Sequence, residues 1–220
     1  MEHALLFAPE TACAAMALIL FFCPVFKVSE RTVYGISLLA GVVVLGAGLY
    51  SLPLRGEPFY PGIYQINFFT QLIKCVLAIG FLAVAATCRT PSTFRLSAWA
   101  ELPLFLLLST LGMMMMVSAS ELLTLYVSME LAAYPLYIVV ALHRNIATSG
   151  ESATKYMVQG MAASALSLYG MSFLFGAFGS TYYSDISAQF AQGPIQPIFY
   201  LGLVLTLSGF LFKLGGFPFH

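Results

Sequence analysis

The sequence predicts an all-α fold: a polytopic transmembrane bundle of about seven helices, with its N-terminus on the periplasmic or intermembrane side. Three observations predict it. The 220 residues are 60% hydrophobic and only 8% charged, against roughly 25% charged in soluble domains, so a water-facing surface could not be covered. Apolar runs near the ~20 residues that span hydrocarbon as a helix recur along the chain. The basic residues gather in alternate connections between those runs.

The first predicted helix runs from about Pro9 to Phe26 and the second from about Val33 to Leu52. The N-terminal stretch MEHALLFAPE has no Lys or Arg and the following run shows no cleavage site, so it reads as a short outer cap before a retained helix. An aromatic, Gly/Pro-containing connection (PLRGEPFYPGIYQIN) leads to a third helix, about Phe68 to Thr87. RTPSTFRLSAWAE is a charged turn or interfacial piece, and the fourth helix then covers about Leu102 to Ala119. A fifth follows from about Leu122 to Leu142, and a sixth from about Glu151 to Phe175 after the loop HRNIATSG. GSTYYSDISAQFAQGPIQP crosses to a seventh apolar run, about Ile198 to Phe212. Residues 1–95 thus hold helices one to three, and 96–220 hold helices four to seven.

Numbering the connections from the one after helix one, the odd ones carry Lys27, Arg31, Arg89, Arg95 and Arg144, and the even ones only Arg55. A positive-inside bias this strong on short loops places the odd loops on the cytoplasmic or matrix side. Tyr60, Tyr64, Trp99, Tyr182 and Tyr183 fall near boundaries, as an aromatic belt requires.

The composition also excludes function classes. Nine basic and nine acidic residues balance to zero net charge, which gives no footprint for nucleic acid. Cys13, Cys23, Cys75 and Cys88 are scattered with no CxxC pair, so neither a disulfide framework nor a zinc or iron–sulfur site is expected. No nucleotide-binding glycine pattern stands after a strand-like run.

What remains is charge inside the membrane. Glu130 lies mid-helix in LLTLYVSMELAAYPLY, where an ionisable group must face a partner, a cavity or water. Pro135 removes the amide partner of the Leu131 carbonyl and predicts a kink one turn beyond it. Glu130 is read as an ion-transfer group or, more plainly, as a buried structural glutamate. Lys213, in TLSGFLFKLGGFPFH, either snorkels or marks a discontinuous helix, since Gly209, Gly215, Gly216 and Pro218 surround it. Lys155 follows Glu151 by four residues, so it is either half of an exposed i,i+4 pair or a lysine on a water path. Lys74 is expected to snorkel outward, while Glu10, Glu101 and Glu121 sit at helix ends and are assigned no chemistry. His143 and Arg144 close helix five favourably for its dipole. Gly160, Ala163, Ser164, Ser167 and Gly170 give helix six a small-residue face that suits a central position. Met113 to Met116 point to all sides of helix four and form packing, not a metal stripe. A buried acid near buried lysines titrates as a coupled unit, which is the chemistry of a proton-pumping segment.

Three stretches carry a family resemblance: LLTLYVSMELAAYPLYIVVALHR, SGESATKYMVQGMAASALSLYGMSFLFGAFGST and LTLSGFLFKLGGFPFH, each centred on an intramembrane charge. The chain resembles the antiporter-like subunit N (chain 2 type) of proton-pumping NADH–quinone oxidoreductase, respiratory complex I, most sharply from Leu122 to His220. The resemblance implies that Glu130 and Lys213 form a switching charge pair and that Lys155 helps to carry protons. It implies no redox cofactor in this chain, with iron–sulfur clusters, FMN and quinone in partner subunits. It also implies other membrane-arm subunits and lipids as partners, and a bacterial or mitochondrial inner membrane as location. Family members have about fourteen helices in two inverted repeats. This sequence corresponds to the first half, ending near an interrupted seventh helix, so a separate chain is expected to supply the rest unless the sequence is a truncation. GGFPFH places two glycines where a serine-containing step is usual. The rival readings are a subunit of a multi-subunit cation/proton antiporter, and a structural membrane-arm subunit without its own proton path.

Overall fold

The computed structural model describes residues 5–53, 62–88, 101–142, 146–191 and 196–216, with side chains of 146–149 left aside. Among these residues there are eight α-helices. They are α1 (Ala8–Val25), α2 (Glu30–Ser51), α3 (Phe68–Thr87), α4 (Leu102–Ser118), α5 (Leu122–Ala141), α6 (Ile146–Phe178), α7 (Tyr183–Phe190) and α8 (Pro197–Lys213). The chain is an all-α, multi-pass membrane bundle. Five helices, α1, α2, α3, α5 and α6, are long and apolar enough to cross a membrane. The apolar helices α4 and α8 have 17 residues each, about 25 Å at 1.5 Å per residue.

Local chemistry explains most boundaries. Proline at the first or second position opens α1, α4 and α8, where its missing N–H costs nothing. The Ser29 hydroxyl caps α2 by accepting from the Thr32 amide at 3.3 Å. In front of α3 the Asn67 amide donates to Thr70 Oγ1 at 2.8 Å. Two helices stop in the same way. At the end of α1 the Val28 amide donates to the Cys23 carbonyl and the Lys27 amide to the Pro24 carbonyl, with Lys27 at φ 50°. At the end of α8 the Gly216 amide donates to Leu211 and the Gly215 amide to Phe212, with Gly215 at φ 65°. Both are Schellman turns, which satisfy the last carbonyls and prevent the helix from running on.

Two differences from the sequence reading stand out. Helix α6 begins at Ile146, before the expected Glu151, and extends to Phe178. The short helix α7 was not foreseen, because its eight residues (YSDISAQF) are too few and too polar to register as an apolar run. Arg55, Tyr60, Arg89, Arg95, Trp99, His143, Arg144 and Pro218, to which the sequence assigned roles, lie outside the described residues.

Packing forms two groups. Cys13, Leu20, Val33, Val44, Ala78 and Leu107 are core residues shared by α1 to α4. Leu122, Met171, Leu174 and Phe199 join α5, α6 and α8. Helix α4 connects the groups, since the Ser109 hydroxyl donates to the Ala132 carbonyl of α5 at 2.8 Å. The opposite faces are apolar and exposed, with Phe21, Leu39, Val43, Phe69, Ile79 and Val204 among them, which is the surface a lipid solvent accepts.

At the end of the bundle where α1 and α3 begin, three segments are stitched together. The Gln65 amide donates to the Ser118 carbonyl at 2.7 Å and the Ser120 amide to Ile63 at 2.9 Å. On its other side the same stretch pairs with the α6–α7 turn, through the Leu122 amide on Thr181 and the Tyr183 amide on Ser120. The positive-inside bias of the sequence predicts that this is the outer end.

Candidate functional site

Glu130 is the eighth residue beyond the start of α5, and Lys213 is the last residue of α8. The fold brings them together: Lys213 Nζ donates to Glu130 Oε1 at 3.3 Å. From α6, the Ser164 hydroxyl donates to the same carboxylate oxygen at 2.5 Å. Lys213 Nζ also donates to the Tyr137 hydroxyl at 3.3 Å and sits 5.7 Å from that ring's centroid. Three helices therefore contribute to one ion pair. Glu130 is buried, with 6% exposure, while the Lys213 side chain keeps 20%. The second carboxylate oxygen, Oε2, is buried without a hydrogen-bond partner. An orphaned acceptor on a buried acid is where a proton or a water is accommodated.

Small residues make the approach possible. A Cβ on Gly160 would lie 2.1 Å from the Tyr137 hydroxyl, and one on Gly209 would lie 2.0 Å from Ser167 Oγ. Gly170 and Gly202 meet across the α6–α8 contact, where a Cβ on Gly202 would be 2.9 Å from the Gly170 carbonyl. The Ser167 hydroxyl donates to the Thr206 carbonyl at 2.9 Å in the same seam. The small-residue face of α6 thus sets the depth at which α8 presents Lys213.

Lys155 is placed elsewhere. Its side chain is 69% exposed and pairs with Glu151 one turn earlier. It does not join the Glu130–Lys213 pair, although the next residue, Tyr156, packs edge-on against Tyr137 with centroids 4.8 Å apart. Helix α8 ends at Lys213 in its glycine turn, and any resumption of the helix would fall on residues 217–220, outside the described residues. Helix α5 stays continuous through Pro135.

A second intramembrane pair escaped the sequence reading. Lys74 does not snorkel: it is fully buried, with 0% exposure, and its Nζ lies 2.5 Å from Glu10 Oε1. Glu10 is not an idle helix-end residue, because it also accepts a hydrogen bond from the Tyr64 hydroxyl. Burial, followed by the nearby charge of Glu10, pushes the Tyr64 phenol well above the usual tyrosine range. Glu10 opens α1 and Lys74 lies two turns into α3, both helices that start at the same end of the bundle. Opposite charges at similar depth on helices of the same direction were the available signal. Glu121 likewise has partners, accepting from Thr181 at 2.6 Å and Thr124 at 3.1 Å. Beside it, burial and the Glu121 charge push the Tyr183 phenol up to about 12. Among the described residues no three His, Cys, Asp or Glu side chains are grouped to hold a metal ion.

Comparison with known proteins shows what this arrangement is similar to. Residues 119–220 match the family described as NADH:quinone oxidoreductase/Mrp antiporter, transmembrane. NADH-quinone oxidoreductase subunit N 2 of Opitutus terrae is 35% identical over 217 residues, covering 97% of this chain and 45% of its own length. Subunit N of Rhodobacter capsulatus is 33% identical over 213 residues, covering 96% and 45%. The chain therefore spans about half the length of the curated relatives it matches. Among solved structures, a chain of respiratory complex I from Thermus thermophilus with bound aureothin superposes with a TM-score of 0.75 at 27% identity, over 96% of this chain and 45% of that one. A chain of the Mrp complex from Dietzia sp. DQ12-45-1b gives a TM-score of 0.76 at 17% identity, covering 98% and 42%, which is a likeness of fold. Sequence and fold agree that the chain is similar to the antiporter-like (Mrp-type) membrane subunits that include NADH-quinone oxidoreductase subunit N, over about half of their length.

Proposed function

We propose that this chain is the proton-translocating portion, or part of it, of an NADH–quinone oxidoreductase membrane subunit, and that Glu130 and Lys213 are its switching charge pair. The buried contact between the two, made across α5 and α8, carries the reading. Paired, the two charges hold each other ionised in a poorly hydrated place. If Lys213 moves away, Glu130 loses its counter-charge and takes up a proton, for which Oε2 is unoccupied by any hydrogen bond. Return of Lys213 favours the carboxylate again and expels the proton. The Ser164 and Tyr137 hydroxyls stay in contact with the pair and can relay that proton.

In this reading seven helices cross the membrane, α4 and α8 included, and the glycine turn after Lys213 is the break of an interrupted helix. Lys155 continues the path once its exposed face is covered by the remaining half of the fold, supplied by the same protein or by a separate chain. Other membrane-arm subunits complete the complex, whose flavin, iron–sulfur clusters and quinone lie outside this chain, in a bacterial or mitochondrial inner membrane.

The test uses the assembled complex in sealed vesicles. Glu130→Gln and Lys213→Met should each reduce proton uptake by about a hundredfold, the low end of what a positioned proton-transfer group contributes, with assembly unchanged. Normal proton-to-electron ratios in both variants would leave only the structural role. Sodium-driven proton exchange without quinone reduction would instead support the cation-antiporter reading.

A further inference from the structure

Among the described residues the Glu10–Lys74 pair is the most completely enclosed ion pair, and it is not satisfied by its protein neighbours. Glu10 is 8% exposed, Gln71 and Ser118 1% each, Tyr64 6% and Lys74 0%. They converge from four places: α1, the segment before α3, α3 itself and the end of α4. Gln71 and Lys74 are three residues apart and share a face of α3. Gln71 uses its amide N–H on the Leu6 carbonyl at 3.0 Å. Yet Glu10 Oε2, Gln71 Oε1, Ser118 Oγ and Lys74 Nζ all lack a hydrogen-bond partner, the ammonium touching Glu10 without the angle of a hydrogen bond. Of the five orphaned buried side-chain atoms found among the described residues, four are here.

Buried polar atoms are satisfied by protein or by water, and one buried water typically makes about three hydrogen bonds to such groups. Acceptors on Glu10 and Gln71, a donor on Lys74 and a hydroxyl on Ser118 are the set a water needs. Ser118 also belongs to the stitched outer seam, through which the Tyr64 segment reaches the outer surface.

We propose that Glu10, Lys74 and Tyr64, with Gln71 and Ser118, form a second, water-holding proton site at the outer end of the bundle, which takes up a proton from the translocation path and releases it on that side. It rests on the proton-translocating reading above. In the step, the Glu10 carboxylate takes a proton from the held water and becomes a carboxylic acid, so the pair gains one positive charge. The water recovers its proton from the translocation path through the bundle, and on release the Glu10 proton leaves by way of the water to the outer aqueous phase, so one proton passes outward per cycle. Lys74 keeps the site from collecting a second proton at rest, and the Tyr64 hydroxyl orients the carboxylate. Cys13, one turn along α1 with its thiol on the Leu107 carbonyl, is the other titratable group beside Glu10.

The experiment uses the assembled complex and reads two quantities: the proton-to-electron ratio in vesicles, and redox-induced infrared difference spectra in normal and heavy water. The wild type should show a deuterium-sensitive carboxylic acid band that Glu10→Gln abolishes and Tyr64→Phe shifts. The ratio should fall in Glu10→Gln, with quinone reduction retained. Where the single variant assembles poorly, the double variant Glu10→Gln/Lys74→Met removes both ions, leaves no lone buried charge, and should show the same two losses. Loss of neither band nor ratio, while Glu130→Gln still lowers the ratio, overturns the second site alone. An unchanged ratio in Glu130→Gln overturns the reading it rests on.

Discussion

Tyr137 shows how much one side chain settles in this protein. Its hydroxyl accepts from Lys213, its ring lies under the ammonium, and its position depends on Gly160 having no side chain. Gly160→Ala should push the phenol aside and loosen Lys213, lowering proton transfer while the bundle still forms. Gly176→Ala, with open space around its Cα, should leave proton transfer unchanged; equal rates in the two variants would remove Tyr137 from the path. Tyr137→Phe should cost about 1–3 kcal/mol of thermal stability in detergent, the usual price of an unmet buried polar group. Tyr64 gives the pH-dependent prediction. Its folded pKa is raised by burial and then by Glu10, so its contribution is complete below the unfolded value near ~10 and disappears as pH rises through the folded one. Alkaline titration should show a phenolate, missing in Tyr64→Phe, that appears last, after the ordinary tyrosines and after Tyr183; its appearance among the ordinary ones would refute the buried contact. Glu130 was recognisable from sequence because carboxylates are costly mid-helix. Glu10 and Lys74 were not, because each alone can be explained by a helix end or by snorkelling.

Helix-to-helix distances are set by residues without side chains. A Cβ on Gly112 would lie 2.3 Å from the Ala132 amide nitrogen, so α4 and α5 pack backbone against backbone there. Gly112→Ala should therefore force the pair apart and lower stability by about 1–3 kcal/mol, as overpacking does, and should also weaken the Ser109 bond to Ala132. Gly80→Ala, on α3 with nothing nearby, should be neutral in the same thermal assay, and the same loss in both would mean that helix propensity, not packing, is at work. Element boundaries were read well wherever an apolar run met proline, glycine or a capping residue. Helix α3 was predicted at Phe68 to Thr87 and lies there. Helix α7 was missed because lipid burial leaves no apolar signature in a short polar segment at the surface.

For the whole molecule, orientation and packing combine. Cysteine labelling of Arg31→Cys should succeed only from the cytoplasmic side and of Ala188→Cys only from outside, since both positions are exposed and lie at opposite ends; labelling of both from one side would invert or break the topology. That the chain is an all-α, multi-pass membrane bundle was legible in the sequence alone. Hydrocarbon imposes its requirements locally, one run of residues at a time, so length and composition suffice. Which charges meet was decided only by the tertiary structure. Glu10 and Lys74, like Glu130 and Lys213, come from helices distant in the chain, and their contact depends on how each helix is rotated and how closely glycine and serine let its neighbour approach.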